Sequence, residues 1–310
     1  MKVLFALLLM GVSSMVQGQL PQVCCGRIER LTAFASKQVD ARNVDVWLPK
    51  NYDPAKKYAV LYMHDGQMLF DATQTWNKLA WEVDETAQKL IDADQVNPFI
   101  IVGIWNNGEK RHPEYFPQKP FESLTAAQKQ YIAEQLQAKG RIKGTEFQPI
   151  SDRYLKFVVT ELKPYIDSHF STLPDAAHTA IAGSSMGGLI SWYALCEYPK
   201  VFGQAACLST HWPGIFNTKD NPIPAAFRAY LSKKIPKPKK GNRFYFDYGD
   251  QTLDALYPEL QQAADVVFAE KGYTAKNYKA TFFPGADHSE TAWSKRFDQV
   301  LLFLFGKGVK

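Results

Sequence analysis

Short apolar runs alternate with amphipathic stretches along most of this chain, the pattern of a mostly parallel sheet covered by helices. Residues 44–48 alternate with period two and stop at Pro49. Residues 58–63 form a continuous apolar run before the turn His64-Asp65-Gly66, and 99–104 form another before Trp105-Asn106-Asn107-Gly108. Between them, 81–90 has helical spacing. Regularity lapses from 106 to 150, where a proline- and aromatic-rich stretch precedes a polar helix at 124–139. That is long for a simple connection, so it is expected to lie over the strand ends as a partial lid. Further on, 154–170 reads as a strong amphipathic helix that Pro164 would kink. Strands follow at 179–182, 203–208, 243–248 and 278–283, and helices at 189–197, 260–271 and 291–305. No internal repeat and no second core interrupts this order, which predicts one α/β domain over 19–310.

The N-terminus adds a compartment. Lys2, an apolar run over 3–10 and the small-x-small site Val16-Gln17-Gly18 read as a secretory signal peptide over 1–18. The run is too short for a membrane span of roughly 20 residues. The mature chain is therefore expected to be exported, periplasmic or secreted, with no membrane span. A charge of +5 over 310 residues is weak, and the one basic cluster, 232–240, carries prolines without interleaved aromatics. It reads as a solvated loop and gives no reason to expect a nucleic-acid partner. Cys24, Cys25, Cys196 and Cys207 have no zinc-site spacing.

The sharpest chemical signal is Gly183-Ser184-Ser185-Met186-Gly187, a G-x-S-x-G between a strand and a helix. A serine in so tight a turn needs small neighbours two residues before and after it, and its hydroxyl then stands clear of the sheet. The bland alternative is a glycine-rich helix start that only packs, or that holds a phosphate. A serine hydroxyl needs a base, and in α/β-hydrolases the acid and then the histidine follow the serine along the chain. Only His211 and His288 follow Ser185. His288 lies in the loop after the last strand and is the expected base, whereas His211 follows an earlier strand and reads as a pocket wall. The acid should follow the strand 243–248, which leaves Asp254, the preferred candidate, and Asp250. Oxyanion donors are expected from the backbone N–H of Met186 and from the loop after 58–63, at Gln67 or Gly66.

These residues sit in stretches that resemble the putative-esterase family of α/β-hydrolases, which includes esterase D-like enzymes, feruloyl and acetyl esterases, and hydrolases of enterobactin-type siderophores. The matching stretches are Leu61-Tyr-Met-His-Asp-Gly-Gln-Met-Leu-Phe70, Arg111-His-Pro-Glu-Tyr115 with Pro117, Gly183-Ser-Ser-Met-Gly-Gly-Leu-Ile-Ser191, Phe246-Asp-Tyr-Gly249 and Gly285-Ala-Asp-His288. They span nearly all of the mature chain in the family's order. The resemblance implies a Ser–His–Asp/Glu triad and neither metal nor cofactor. It departs in the acid loop, where two aspartates compete. The expected partner is a small-molecule or carbohydrate ester, with Trp76, Trp105, Arg111, Tyr115, His211 and Trp212 as candidate pocket walls. A hydrolase of enterobactin-type siderophore esters, an acyltransferase with the same triad, as in the family's mycolyl-transfer relatives, and a binding module with an unarmed elbow are the competing readings.

Overall fold

The computed structural model describes residues 19–238 and 241–308; the expected leader over 1–18 lies outside them. Eight strands form one sheet: β1 (Arg27–Phe34), β2 (Arg42–Leu48), β3 (Ala59–His64), β4 (Phe99–Ile104), β5 (Thr179–Ser184), β6 (Gln204–Leu208), β7 (Arg243–Tyr248) and β8 (Tyr278–Phe282). Their order is β1-β2-β4-β3-β5-β6-β7-β8. The β1–β2 and β2–β4 pairs are antiparallel, and every pair from β4 to β8 is parallel. The helices are α1 (Val83–Asp92), α2 (Arg111–Tyr115), α3 (Gln118–Glu122), α4 (Ala126–Ala138), α5 (Ser151–Phe157), α6 (Lys163–His169), α7 (Met186–Glu197), α8 (Ile223–Lys234), α9 (Pro258–Glu270), α10 (Glu290–Ser294) and α11 (Phe297–Phe305).

Period-two alternation divides the strand side chains between two cores. In β3, Val60 and Tyr62 join the core beneath α4 to α9, while Leu61 and Met63 join the one beneath α1 and α11. Both faces are covered, so central strands read as unbroken apolar runs. The edge strand β1 has no such run: Arg27, Glu29 and Arg30 interrupt it and much of it is exposed, which is why its sequence does not announce a strand.

Two of the expected helices are divided. Residues 154–170 form α5, a π turn over Val158–Leu162, and α6. Pro164 has no N–H to donate to residue 160, so the regular ladder cannot continue through it. The closing helix is likewise split into α10 and α11, either side of Arg296.

The 106–150 insertion is packed into the body of the protein. Tyr115, Phe116, Phe121, Ile132, Leu136 and Phe147 are buried in the larger core. Helix α4 has a capping box between Thr125 and Gln128 and an inner face where an exposed polar helix was expected. The Arg42 guanidinium of β2 holds Glu114 of α2 through two bonds of 2.8 and 2.7 Å, with both side chains almost wholly buried. A bidentate pair buried this deeply needs both partners, because either charge alone would stay desolvated. Among the described residues no helix is long and apolar enough to cross a membrane. Glu114→Ala is expected to lower unfolding free energy by about 3–5 kcal/mol. In urea titration, the double replacement Arg42→Met with Glu114→Leu should recover most of that loss.

Candidate active site

Ser185 occupies the turn between β5 and α7 with φ 57° and ψ −119°, a backbone conformation that L-residues rarely adopt. The surroundings determine it. Its N–H donates to the Leu208 carbonyl at 2.9 Å, and its carbonyl accepts from His211 at 3.2 Å. A Cβ on Gly183 would come within 2.9 Å of the Gly187 backbone, and one on Gly188 within 2.9 Å of Thr210 Oγ1. Gly183 of the motif and the Gly188 that follows it are therefore packing requirements, whereas a Cβ on Gly187 would come no closer than 3.4 Å to His64. Helix α7 is apolar and buried along almost its whole length, which anchors the turn from below.

On one side of Ser185, β3 is followed by Asp65, itself left-handed (φ 56°, ψ 44°), and then by a 3₁₀ turn over Gly66–Met68. A Cβ on Gly66 would lie 2.5 Å from the Gly103 backbone, so only glycine fits there. Arg111 clamps Asp65 through two bonds of 2.7 Å, Asn106 adds a third of 2.7 Å, and the Tyr115 hydroxyl accepts the Asp65 N–H at 3.3 Å. Burial alone would raise the Asp65 carboxyl's pKa, but Arg111 and Asn106 bring it below the usual carboxylate range. The Gln67 amide oxygen accepts the Asn106 N–H at 3.1 Å. As first-turn groups, the N–H groups of Gln67 and Met186 have no acceptor within their own helices.

On the other side, His288 Nδ1 meets Asp254 Oδ1 at 2.6 Å, with the Asp254 side chain fully buried. The second oxygen of Asp254 accepts the Ser209 hydroxyl at 2.6 Å and the Gly249 N–H at 2.7 Å. The His288 backbone is tied by its N–H to Thr252 Oγ1 at 3.0 Å, and its ring meets Trp293 edge-on, centroids 5.0 Å apart. With Nδ1 engaged, Nε2 is the ring nitrogen left for other partners. Asp250, the competing candidate, instead accepts Gly285 N–H at 2.8 Å and the Gln251 side chain at 2.9 Å. It fastens the loop that carries His288.

Ser185, Met186, Gln67, His211 and His288 share the lining of one cleft of about 650 Å³ at the carboxyl ends of the strands. Trp76, 84% exposed, and Arg111 also line it. Three expected wall residues do not. The Trp105 indole donates to Asp45 at 2.8 Å under the Arg30 guanidinium. Tyr115 is wholly buried beneath Asp65. Trp212 stacks between Trp192 and Phe246 and donates to Gln261 at 2.8 Å. In each, a polar handle finds a partner within the protein; the Tyr115 and Trp212 rings fill core, while Trp105 stays half-buried.

The cleft also contains features the sequence did not announce. His112, Phe216 and Arg141 join its lining from the insertion and from the loop after β6. His211 Nδ1 meets the Tyr257 hydroxyl at 2.9 Å, and Nε2 of both His211 and His112 is buried without a partner among the described residues. Burial holds both rings neutral, His112 down to about 3 and His211 well below its usual value. The one group of metal-type donors among the described residues is Cys24 with Asp84 and Glu85, whose ligand atoms lie within 4.8 Å of one another. None of the three lines the cleft.

The parallel sheet, the strand–turn–helix elbow and the cleft at the strand ends define an α/β-hydrolase. The chain belongs to the family described as Putative esterase, whose profile matches residues 37–304, and it is a carboxylic ester hydrolase of the serine type. It is 27% identical over 295 residues to an endo-1,4-beta-xylanase/feruloyl esterase of Xylanibacter ruminicola, covering 90% of this chain and 31% of that longer protein. Among solved structures it is similar to a CE1 ferulic acid esterase of Anaeromyces mucronatus in complex with ferulic acid, with TM-score 0.61, 17% identity and 94% of each chain covered. It is also similar to an IroE-like serine hydrolase of Shewanella oneidensis, with TM-score 0.64, 18% identity and coverage of 89% of this chain and 80% of that one.

The two aspartates make a direct comparison. Asp254→Asn is expected to lower kcat on a soluble ester by on the order of 10³–10⁴-fold, because the amide favours the wrong histidine tautomer. Asp250→Asn, assayed in parallel, should keep kcat within about fivefold, since a loop contact of this kind contributes only about 1 kcal/mol.

Proposed function

We propose that Ser185, His288 and Asp254 form the catalytic triad of an exported esterase acting on a carbohydrate-linked acyl ester, such as an acetyl or feruloyl ester. The observation that carries this reading is the 2.6 Å contact between His288 Nδ1 and a fully buried Asp254, at the cleft that Ser185 also lines. Ser185 Oγ attacks the ester carbonyl as His288 Nε2 takes the hydroxyl proton. Asp254 holds the histidine in the required tautomer and stabilises its cationic form. The carbonyl oxygen becomes an oxyanion held by the N–H groups of Met186 and Gln67, donors of a kind worth about 3 kcal/mol each in the transition state. Collapse breaks the ester C–O bond and passes the proton from His288 to the departing alcohol. Water then repeats the sequence on the acyl-serine, releasing the acid and restoring Ser185.

The substrate class rests on the cleft walls. Trp76 offers an almost fully exposed ring at the rim, suited to stacking on a sugar. The buried, unpartnered Nε2 atoms of His112 and His211 suit a substrate that brings hydroxyl groups, because leaving such atoms unpaired is costly. The printed names of two similar proteins, a xylanase/feruloyl esterase and a ferulic acid esterase, agree with that choice. Export rests on the leader-like pattern over 1–18, with 19–310 acting as one esterase domain.

Ser185→Ala is expected to abolish hydrolysis of p-nitrophenyl acetate and of acetylated and feruloylated sugars, while the unmutated protein prefers the sugar esters. Full activity in Ser185→Ala would refute the triad. A preference for tri-catecholate siderophore esters, or acyl transfer to added sugars in excess of hydrolysis, would replace the proposed substrate or acceptor and leave the triad standing.

A further inference from the structure

Behind Asp254 lies a buried polar circuit that the triad itself does not require. Ser209 follows the end of β6, wholly buried and in a left-handed conformation (φ 41°). Its N–H donates to the Asp247 carbonyl at 2.8 Å. Two side chains from the segment that carries His288 converge on its hydroxyl: the Trp293 indole N–H at 3.0 Å and Arg296 Nη2 at 2.8 Å. Arg296 also pairs with buried Asp247 at 2.7 Å.

The direction of the Ser209 proton follows from valence. A hydroxyl has one proton and two lone pairs, whereas an indole N–H and a guanidinium can only donate. Both lone pairs of Ser209 are thus occupied by obligate donors, and its proton has one acceptor, Asp254 Oδ2 at 2.6 Å. Gly249 donates to that same oxygen at 2.7 Å, leaving Oδ1 to face His288.

We propose that Ser209 is a positioning residue of the hydrolase. Its hydroxyl, oriented by Trp293 and Arg296, donates to Asp254 and keeps it aimed, and through it fixes the His288 tautomer that leaves Nε2 free to accept a proton. Donors to a carboxylate favour its charged form, and the Ser209 hydroxyl makes all three of its bonds in a dry site, where such bonds are strong and hold one arrangement. The Trp293 and Arg296 contacts also tie the segment bearing the base back onto the acid that orients it. This inference rests on the triad reading above, and its failure is separable: activity in Ser185→Ala would remove the triad, whereas the Ser209 variants test only the support behind it.

The experiment compares Ser209→Ala and Ser209→Cys with the unmutated protein, measuring kcat, KM, the pH profile of kcat/KM and thermal stability. Loss of a hydrogen bond to a charged group predicts kcat about 10- to 100-fold lower in Ser209→Ala, with KM little changed. A carboxylate stripped of a donor holds protons, its own or that of His288, to higher pH. The acid limb of the profile is therefore expected to move upward. The thiol is a weaker donor, so Ser209→Cys should fall between, and it carries the test if the alanine variant does not fold. An acid limb at the wild-type position in the folded variants, with kcat unchanged or reduced only in proportion to lost folded protein, would overturn the proposal.

Discussion

The left-handed turn at Ser185 is the constraint on which the rest of the site depends. A non-glycine residue in so sparsely populated a region costs of order 1–3 kcal/mol and persists only where its surroundings over-determine it. Here the β5–β6 register brings the Leu208 carbonyl and the His211 N–H to the Ser185 backbone, and the Gly183–Gly187 contact leaves no room for a side chain. Helix α7, buried almost throughout, cannot shift to relieve the turn. The strain is thus held by packing that would be lost only with the centre of the sheet.

Around that fixed point, two separate polar systems hold the flanking loops. Arg111 and Asn106 lock Asp65 and so the turn containing Gln67, and the Arg42–Glu114 pair roots the helix from which Arg111 projects. On the far side, Thr252, Asp250, Ser209 and Arg296 fix the loops bearing Asp254 and His288. Donors and acceptors placed before the substrate arrives need no reorganisation during reaction, which is the form in which electrostatic stabilisation is most effective. The insertion therefore contributes a wall whose position is set by one buried ion pair, Arg42–Glu114, and one partly buried pair, Arg111–Asp65.

Much of this was legible in the sequence, for a physical reason. An elbow imposes size limits on neighbours two residues away, and buried parallel strands impose long apolar runs, so both leave local signatures. The loop positions of His288 and Asp254 follow from the strands that precede them. Contacts between distant segments leave no such trace. The distinction between Asp254 and Asp250 depends on which carboxylate meets His288 some 34 residues on. The Ser209–Arg296 contact spans 87 positions. Trp105, Tyr115 and Trp212 sit where wall residues would, and only their polar partners, Asp45, the Asp65 N–H and Gln261, decide that they turn away from the cleft. Pro164 did signal a disturbance in its helix, but not that the chain would absorb it as a π turn.

The most direct measurement is to react the purified protein with a fluorophosphonate and locate the adduct by peptide mass spectrometry. An armed elbow predicts one adduct per chain, on the peptide containing Ser185. An unmodified Ser185 peptide, with the adduct elsewhere or absent, would contradict the account.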